Sequence, residues 1–231
     1  TNVNYPNAIN TGGFPHPFTL NNPEILFFYA SEEEHEVVTS DYYAKCFMAS
    51  DQLRNCYSNE DQRWNGYLCP YGEAGDEKKS SKFARELKFG ACLRLSEAYL
   101  NRAEAYIMTE DYTSALKDLN SYYSKRVDNY SSRTNTVTDA TIAKYKARSI
   151  VDPCYTLNDK QALYLSALAD IRQLEFLEEG LRWFDVRRFN IEVTHMSYDE
   201  KIKDVLKKGD PRRIVQIPSQ ARSLGLTPNP R

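Results

Sequence analysis

With 231 residues, 30 basic against 32 acidic side chains and a formal charge of −2, the chain is one full domain or two small ones. That length buries a core without staples, and the balanced charge carries no footprint for nucleic acid. A mean hydropathy of −0.65 and the lack of any apolar run near ~18 residues give no spanning helix. No basic segment leading into an apolar one opens the chain, so no signal peptide is read. Residue 1 is Thr, which predicts a processed or trimmed start.

Tyrosine is the compositional outlier, with 17 Tyr beside 10 Phe and 2 Trp. Its large rigid face with a polar tip suits recognition surfaces and half-buried cores alike. Cys46, Cys56, Cys69, Cys92 and Cys154 show no C-x-x-C pair and no zinc spacing. An odd, scattered set leaves at least one thiol free, with one disulfide among Cys46, Cys56 and Cys69 left open.

Residues 1–30 are punctuated by Asn, Gly and Pro, which mark turns. Within them the run Ile25-Leu26-Phe27-Phe28-Tyr29 predicts one buried strand. A short helix is expected near 41–48. From Asn59 to Lys82 the chain reads as a long loop bearing Trp64, Tyr67 and Tyr71, and its aromatics argue that it is functional and ordered.

Helical character begins at about Ala91. Leu93, Leu95, Tyr99, Leu100, Ala103, Tyr106 and Ile107 recur at helical spacing, Glu110-Asp111 interrupts, and Tyr112, Ala115, Leu116, Leu119 and Tyr122 resume. That break predicts an antiparallel helix hairpin over 91–126. Residues 127–138 read as a connector and 139–148 as a short helix. The strongest helix starts after the capping residues Asn158-Asp159 and stops at Gly180, where a C′ glycine belongs. A short helix over Leu181–Phe189 follows, then a turn at Gly209-Asp210-Pro211, a short strand over Ile214–Ile217 and a loop to Arg231.

The hairpin fits the tetratricopeptide pattern at Tyr99, Ala103, Tyr106, Ala115 and Leu119. The small residues let two helix backbones approach while the aromatics fill the flanks. Arg102 and Tyr122 depart from the pattern. A single repeat cannot bury its outer faces, so other segments should fold over the hairpin, or it should expose an apolar face.

Residues 171–189 resemble the signature of the SusD/RagB-type proteins, E-R-x-x-E-L-x-x-E-G-x-R-W-x-D-L-x-R. Arg172, Glu175, Glu179, Gly180, Arg182, Trp183, Asp185 and Arg188 match it, while Ile171 replaces the first Glu and Phe176 the Leu. Leu93–Ala105, Ala115–Asn120, Asp210–Arg213 with Gln216–Pro218, and Asn229-Pro230 are similar to further blocks in the same order. Ser50–Leu53 followed by Asp61–Arg63 resembles a weaker one, so the likeness spans about residues 50–231.

The resemblance implies an outer-membrane, surface-exposed nutrient-binding lipoprotein of Bacteroidetes-like bacteria, binding a glycan or other nutrient. It would hand this ligand to a SusC-like TonB-dependent transporter. Membrane attachment would come only through a lipid anchor upstream. Because such proteins are about twice this length, the chain resembles their carboxy-terminal half. It is read as a single domain: a loop-rich 1–90, the 91–126 hairpin, and helices with carboxy-terminal loops over 127–231. The fold expected is mainly α, a tetratricopeptide-like hairpin with packed helices, long irregular loops and a few short strands. The alternative function is a tetratricopeptide-type protein-interaction scaffold without a sugar site.

Arg172, Glu175, Glu179 and Arg182 fall on one stripe of a helix and its continuation. A glycosidase pair must flank a sugar from opposite sides, and neighbouring arginines keep carboxylates ionised. The stripe therefore reads as an ion-pair ladder, with no catalytic residue and no enzyme activity. Asp185 is expected to cap a helix or pair with Arg188, and Trp183, Phe184 and Phe189 to pack in the core. His16, His35 and His195 are scattered. Glu32–Glu36 reads as a solvated acidic face, where calcium would be the cation if one bound, and no metal or cofactor is assigned. No phosphate cradle or nucleophile elbow occurs. The glycan-binding candidates are Trp64, Tyr67 and Tyr71, flat faces with Asp61, Arg63, Asn65 and Glu73 alongside as hydrogen-bonding neighbours.

Overall fold

The computed structural model describes residues 24–35, 53, 56–58, 60–63, 68–71, 77–80, 87–177, 179–197, 201 and 203–230. The helix expected near 41–48 lies outside them. Among the described residues the fold is mainly α, with six helices and three two-stranded antiparallel ribbons.

The first ribbon joins β1 (Ile25–His35) to β4 (Leu87–Arg94), with Ile25 opposite Arg94 and Ala30 opposite Phe89. Residues 91–94, expected to be helical, are therefore strand. Their partner lies some sixty residues upstream, and local periodicity carries no trace of it. The strand at Ile25 is real but not buried there, since Leu26 is 52% and Phe27 62% exposed. A ribbon of two strands leaves its faces open. Between these strands, inside the stretch read as one loop, β2 (Leu68–Tyr71) pairs with β3 (Glu77–Ser80).

The hairpin follows directly as α1 (Leu95–Met108) and α2 (Tyr112–Tyr123). Arg94 offers α1 no side-chain cap, and the Leu95 N–H instead donates to the Glu24 carbonyl at 2.7 Å. Asp111 caps α2 by accepting from the Ser114 N–H at 3.0 Å. Arg102, a departure from the repeat pattern, clamps the two helices through Asp118 with Nε and Nη2 bonds of 2.7 and 2.8 Å.

α3 (Asp139–Lys144) is shorter than expected. α4 (Asp159–Glu175) starts on a capping box in which Asn158 and Gln161 bond reciprocally. It packs across the hairpin: Leu100, Ala103 and Ile107 of α1, Ala115 and Leu119 of α2, and Tyr164, Leu165 and Leu168 of α4 share one buried cluster. The hairpin's apolar face is thus covered by the chain's own later segment.

α4 ends at Glu175 rather than at Gly180. Between it and α5 (Arg182–Arg188) the chain turns, and Gly180 sits at φ 76°. An added Cβ there meets nothing within 4 Å, so glycine is required by the backbone conformation and not by space. The turn carries Glu179 away from the helical path toward Arg94.

β5 (Val193–Met196) and β6 (Lys203–Leu206) form a ribbon that the sequence did not announce. Arg213, buried in the 3₁₀ turn Pro211–Arg213, ties that ribbon to α5 by donating to the carbonyls of Val186 at 2.8 Å and Lys207 at 2.9 Å. Ile214–Ile217 is not a strand. It has no ladder partner among the described residues and is held by side chains, with Gln216 accepting from the Asn229 N–H at 2.8 Å and donating to the Asn229 carbonyl at 3.1 Å. The tail also holds α6 (Ser219–Ser223). Cys154 is an exposed free thiol.

Candidate functional site

The signature residues build two adjoining charge clusters. The first centres on Glu175, whose side chain is 0% exposed. Arg126 grips its carboxylate from Nε at 3.0 Å and Nη2 at 2.9 Å, and Arg94 donates from Nη1 at 2.9 Å. Tyr122 adds its hydroxyl at 2.8 Å and Arg63 its Nη1 at 3.3 Å. Each arginine also holds a second carboxylate. Arg126 bonds Glu24 at 3.0 and 3.1 Å, Arg94 bonds Glu179 at 2.5 and 3.1 Å, and Arg63 bonds Asp61 at 2.7 and 2.9 Å.

Burial alone would push the Glu175 carboxyl upward, but Arg126, Arg94 and Arg63 together hold it well below the usual carboxylate range. Burial likewise raises the Tyr122 hydroxyl well above its ordinary value, with Glu175 adding to the effect against Arg63 and Arg126. A carboxylate held so low keeps no proton to donate near neutral pH, which is the opposite of what a general acid needs. The ladder reading holds for Glu175 and Glu179. Asp61 and Arg63 are corrected: they are not sugar-facing neighbours of the aromatics but buried members of this cluster, with Arg63 2% exposed.

The second cluster runs from the interior to the surface. Buried Arg172 donates from Nε to Asp185 at 2.9 Å and from Nη1 to the Asn101 amide oxygen at 2.7 Å. Arg188 pairs with Asp185 at 2.9 Å, as expected, and continues to Glu104 at 2.8 Å. Arg182 does not complete the ladder. Its hydrogen bonds go to the Ala169 carbonyl at 3.2 Å and the Ser149 hydroxyl at 2.8 Å, because Arg94 and Arg172 already hold the neighbouring carboxylates. Phe189 is buried in the core, whereas Trp183 is 37% and Phe184 63% exposed. Both of the latter sit on α5, which lies at the protein's surface.

Phe184 borders a cleft of about 430 Å³ between α1 and α5. Ala105, Met108 and Leu181 give it apolar lining, and Glu97, Asn101 and the Arg172–Asp185–Arg188–Glu104 chain give it polar walls. No element of the sequence reading pointed to it. Its halves are some eighty residues apart, and its aromatic looked like a core residue.

Of the predicted glycan contacts, Trp64 and Tyr67 lie outside the described residues. Tyr71 closes β2 opposite Glu77. Among the described residues no group of His, Cys, Asp and Glu is placed to hold a metal ion, and no helix is long and apolar enough to cross a membrane.

A repeat-type helix hairpin covered by a third helix, around a buried arginine–carboxylate core, defines a helical scaffold. The sequence profile of the SusD family matches residues 22–223, and the chain belongs to that family. A protein provisionally described as sugar binding from Bacteroides vulgatus superposes with a TM-score of 0.61 at 21% identity, over 90% of this chain and 46% of its own. A SusD superfamily protein from the same organism gives 0.58 at 19% identity, over 90% and 46%. Another from Bacteroides thetaiotaomicron gives 0.55 at 18% identity, over 80% and 40%. The chain therefore spans less than half the length of the solved structures it resembles. No curated protein sequence matches it.

Proposed function

We propose that this chain is part of a cell-surface nutrient-binding lipoprotein. It captures a glycan without cleaving it and passes it to a SusC-like TonB-dependent transporter. Membership of the SusD family supports the class. One observation carries the binding role of Trp64, Tyr67 and Tyr71: the chain immediately before Trp64 is rooted in the buried cluster, where Arg63 holds Asp61, Tyr122 and Glu175. Binding loops work when a rigid scaffold fixes their base. The chain acts as one unit of a longer protein, anchored by lipid upstream.

A glycan array of oligosaccharides probed with the chain tests the reading. Trp64→Ala should abolish the signal while leaving the melting midpoint almost unchanged. Retention of every hit by Trp64→Ala moves the site away from the loop, and an array without hits removes the glycan reading. Co-purification of the full-length lipoprotein with a TonB-dependent barrel tests the handover.

A further inference from the structure

We infer that the cleft between α1 and α5 is a second carbohydrate site, shaped for a neutral sugar ring. The inference rests on the glycan-binding reading above. At about 430 Å³ the cleft falls within the range of small-ligand sites, roughly 300–1,000 Å³. A single turn of helix, about 10 Å across and ~5.4 Å long, would already fill it.

The lining offers what a pyranose presents. Phe184, 63% exposed on α5, supplies a flat apolar face for the sugar's C–H face. Opposite it, Glu97 and Asn101 stand four residues apart on one face of α1. Arg172 Nη1 donates to the Asn101 amide oxygen at 2.7 Å, which fixes the amide's orientation and leaves its NH₂ group as a donor without a partner among the described residues. The Glu97 carboxylate likewise has neither hydrogen bond nor ion pair among the described residues.

The charges narrow the ligand further. Arg172 pairs with Asp185 at 2.9 Å, and Arg188 pairs with both Asp185 and Glu104. Glu97 is therefore the cleft's unpaired charge among the described residues. It accepts from a vicinal pair of hydroxyls through charge-assisted bonds, while Asn101 donates to a ring or hydroxyl oxygen. The same carboxylate repels a uronate or sulfate.

The test is calorimetric titration of the chain with cellobiose, lactose and maltose, and with glucuronate as the anionic arm. At least one neutral disaccharide should bind, with glucuronate weaker by about tenfold or more. Phe184→Ala, Phe184→Leu and Glu97→Gln should each weaken the neutral sugar by about tenfold, the equivalent of one lost ring contact or charge-assisted bond. All three should melt as the wild type does, since these side chains make no core contact. Full affinity in all three variants, together with loss in Trp64→Ala, overturns the cleft and leaves the loop standing. Silence with all three disaccharides overturns the cleft alone, because the nutrient-binding reading is tested on longer oligosaccharides. Glucuronate binding as tightly as the neutral sugar also overturns it.

Discussion

The Glu175 cluster and the Arg212 cluster use the same chemistry in two different solvents. Arg212 is chelated by Asp210 at 2.9 Å and Asp204 at 3.2 Å, bonds no longer than those around Glu175. Its side chain is 40% exposed and that of Asp204 69%, whereas Glu175, Arg126 and Arg94 are 0 to 2% exposed. Water competes for every bond in the surface cluster and for none in the interior. Geometry alone therefore does not rank ion pairs; what is left behind when a partner is deleted does.

The largest expected effect follows from removing the centre of the buried cluster. Glu175→Gln removes the one carboxylate that three interior guanidiniums share and leaves each on its second carboxylate alone, and breaking a buried pair costs about 3–5 kcal/mol. That is of the same order as a domain's whole stability, about 5–15 kcal/mol. Urea titration should show the largest drop in midpoint of the variants named here. A midpoint near the wild type's would dissolve the contrast between the two clusters.

Acid sharpens it. The folded Glu175 carboxyl lies well below its unfolded value of 4.5, so below that pH the unfolded chain binds the proton first. The cluster's stabilisation is complete above the unfolded value and is lost as pH falls through the folded one. Urea midpoints should be level from neutrality to about pH 5 and then drop steeply. A flat profile down to pH 3 would show that Glu175 is not ionised inside.

Arg172→Ala should rank next. It removes the inner partner of Asp185, but Arg188 still holds that carboxylate at 2.9 Å. About 1.5–3 kcal/mol is expected, the range for bonds to a charged group, read as a shift in urea midpoint at constant slope. Arg212→Ala should come last, with no resolvable change in midpoint. A measurable loss there would mean that the surface chelate rigidifies β6 and its turn.

Local signals made much of the fold legible. The Asn158 cap, the Glu110-Asp111 break and the 3.6-residue periodicity located α1, α2 and α4 to within a few residues. Asp185 pairing with Arg188 was legible because i, i+3 neighbours meet on any helix. What failed was long-range. Residues 91–94 of β4 read locally as the start of a helix, because the partner strand β1 is far upstream. Arg182 was assigned a carboxylate that Arg94 and Arg172 hold instead. Asp61 and Arg63 looked like a binding loop's polar residues because nothing adjacent in sequence reveals their buried partners. Phe184 looked like core because hydrophobicity does not say which side of a short surface helix faces in. The cleft failed for the same reason, being assembled from two helices that only tertiary packing brings together.

The order of residues around Glu175 also bears on synthesis. Its arginines stand 112, 81 and 49 residues before it, so a growing chain makes all three long before the carboxylate that they share. The hairpin needs no such wait, since Arg102 meets Asp118 only 16 residues on. Contacts close in sequence form fast, while distant ones must first meet the entropy of closing the intervening loop. The helix pair is thus built to condense while translation proceeds, and the cluster around Glu175 closes only once residue 175 leaves the ribosome. Glu175 is the late step that locks the early-made amino-terminal segment onto a scaffold already waiting for it.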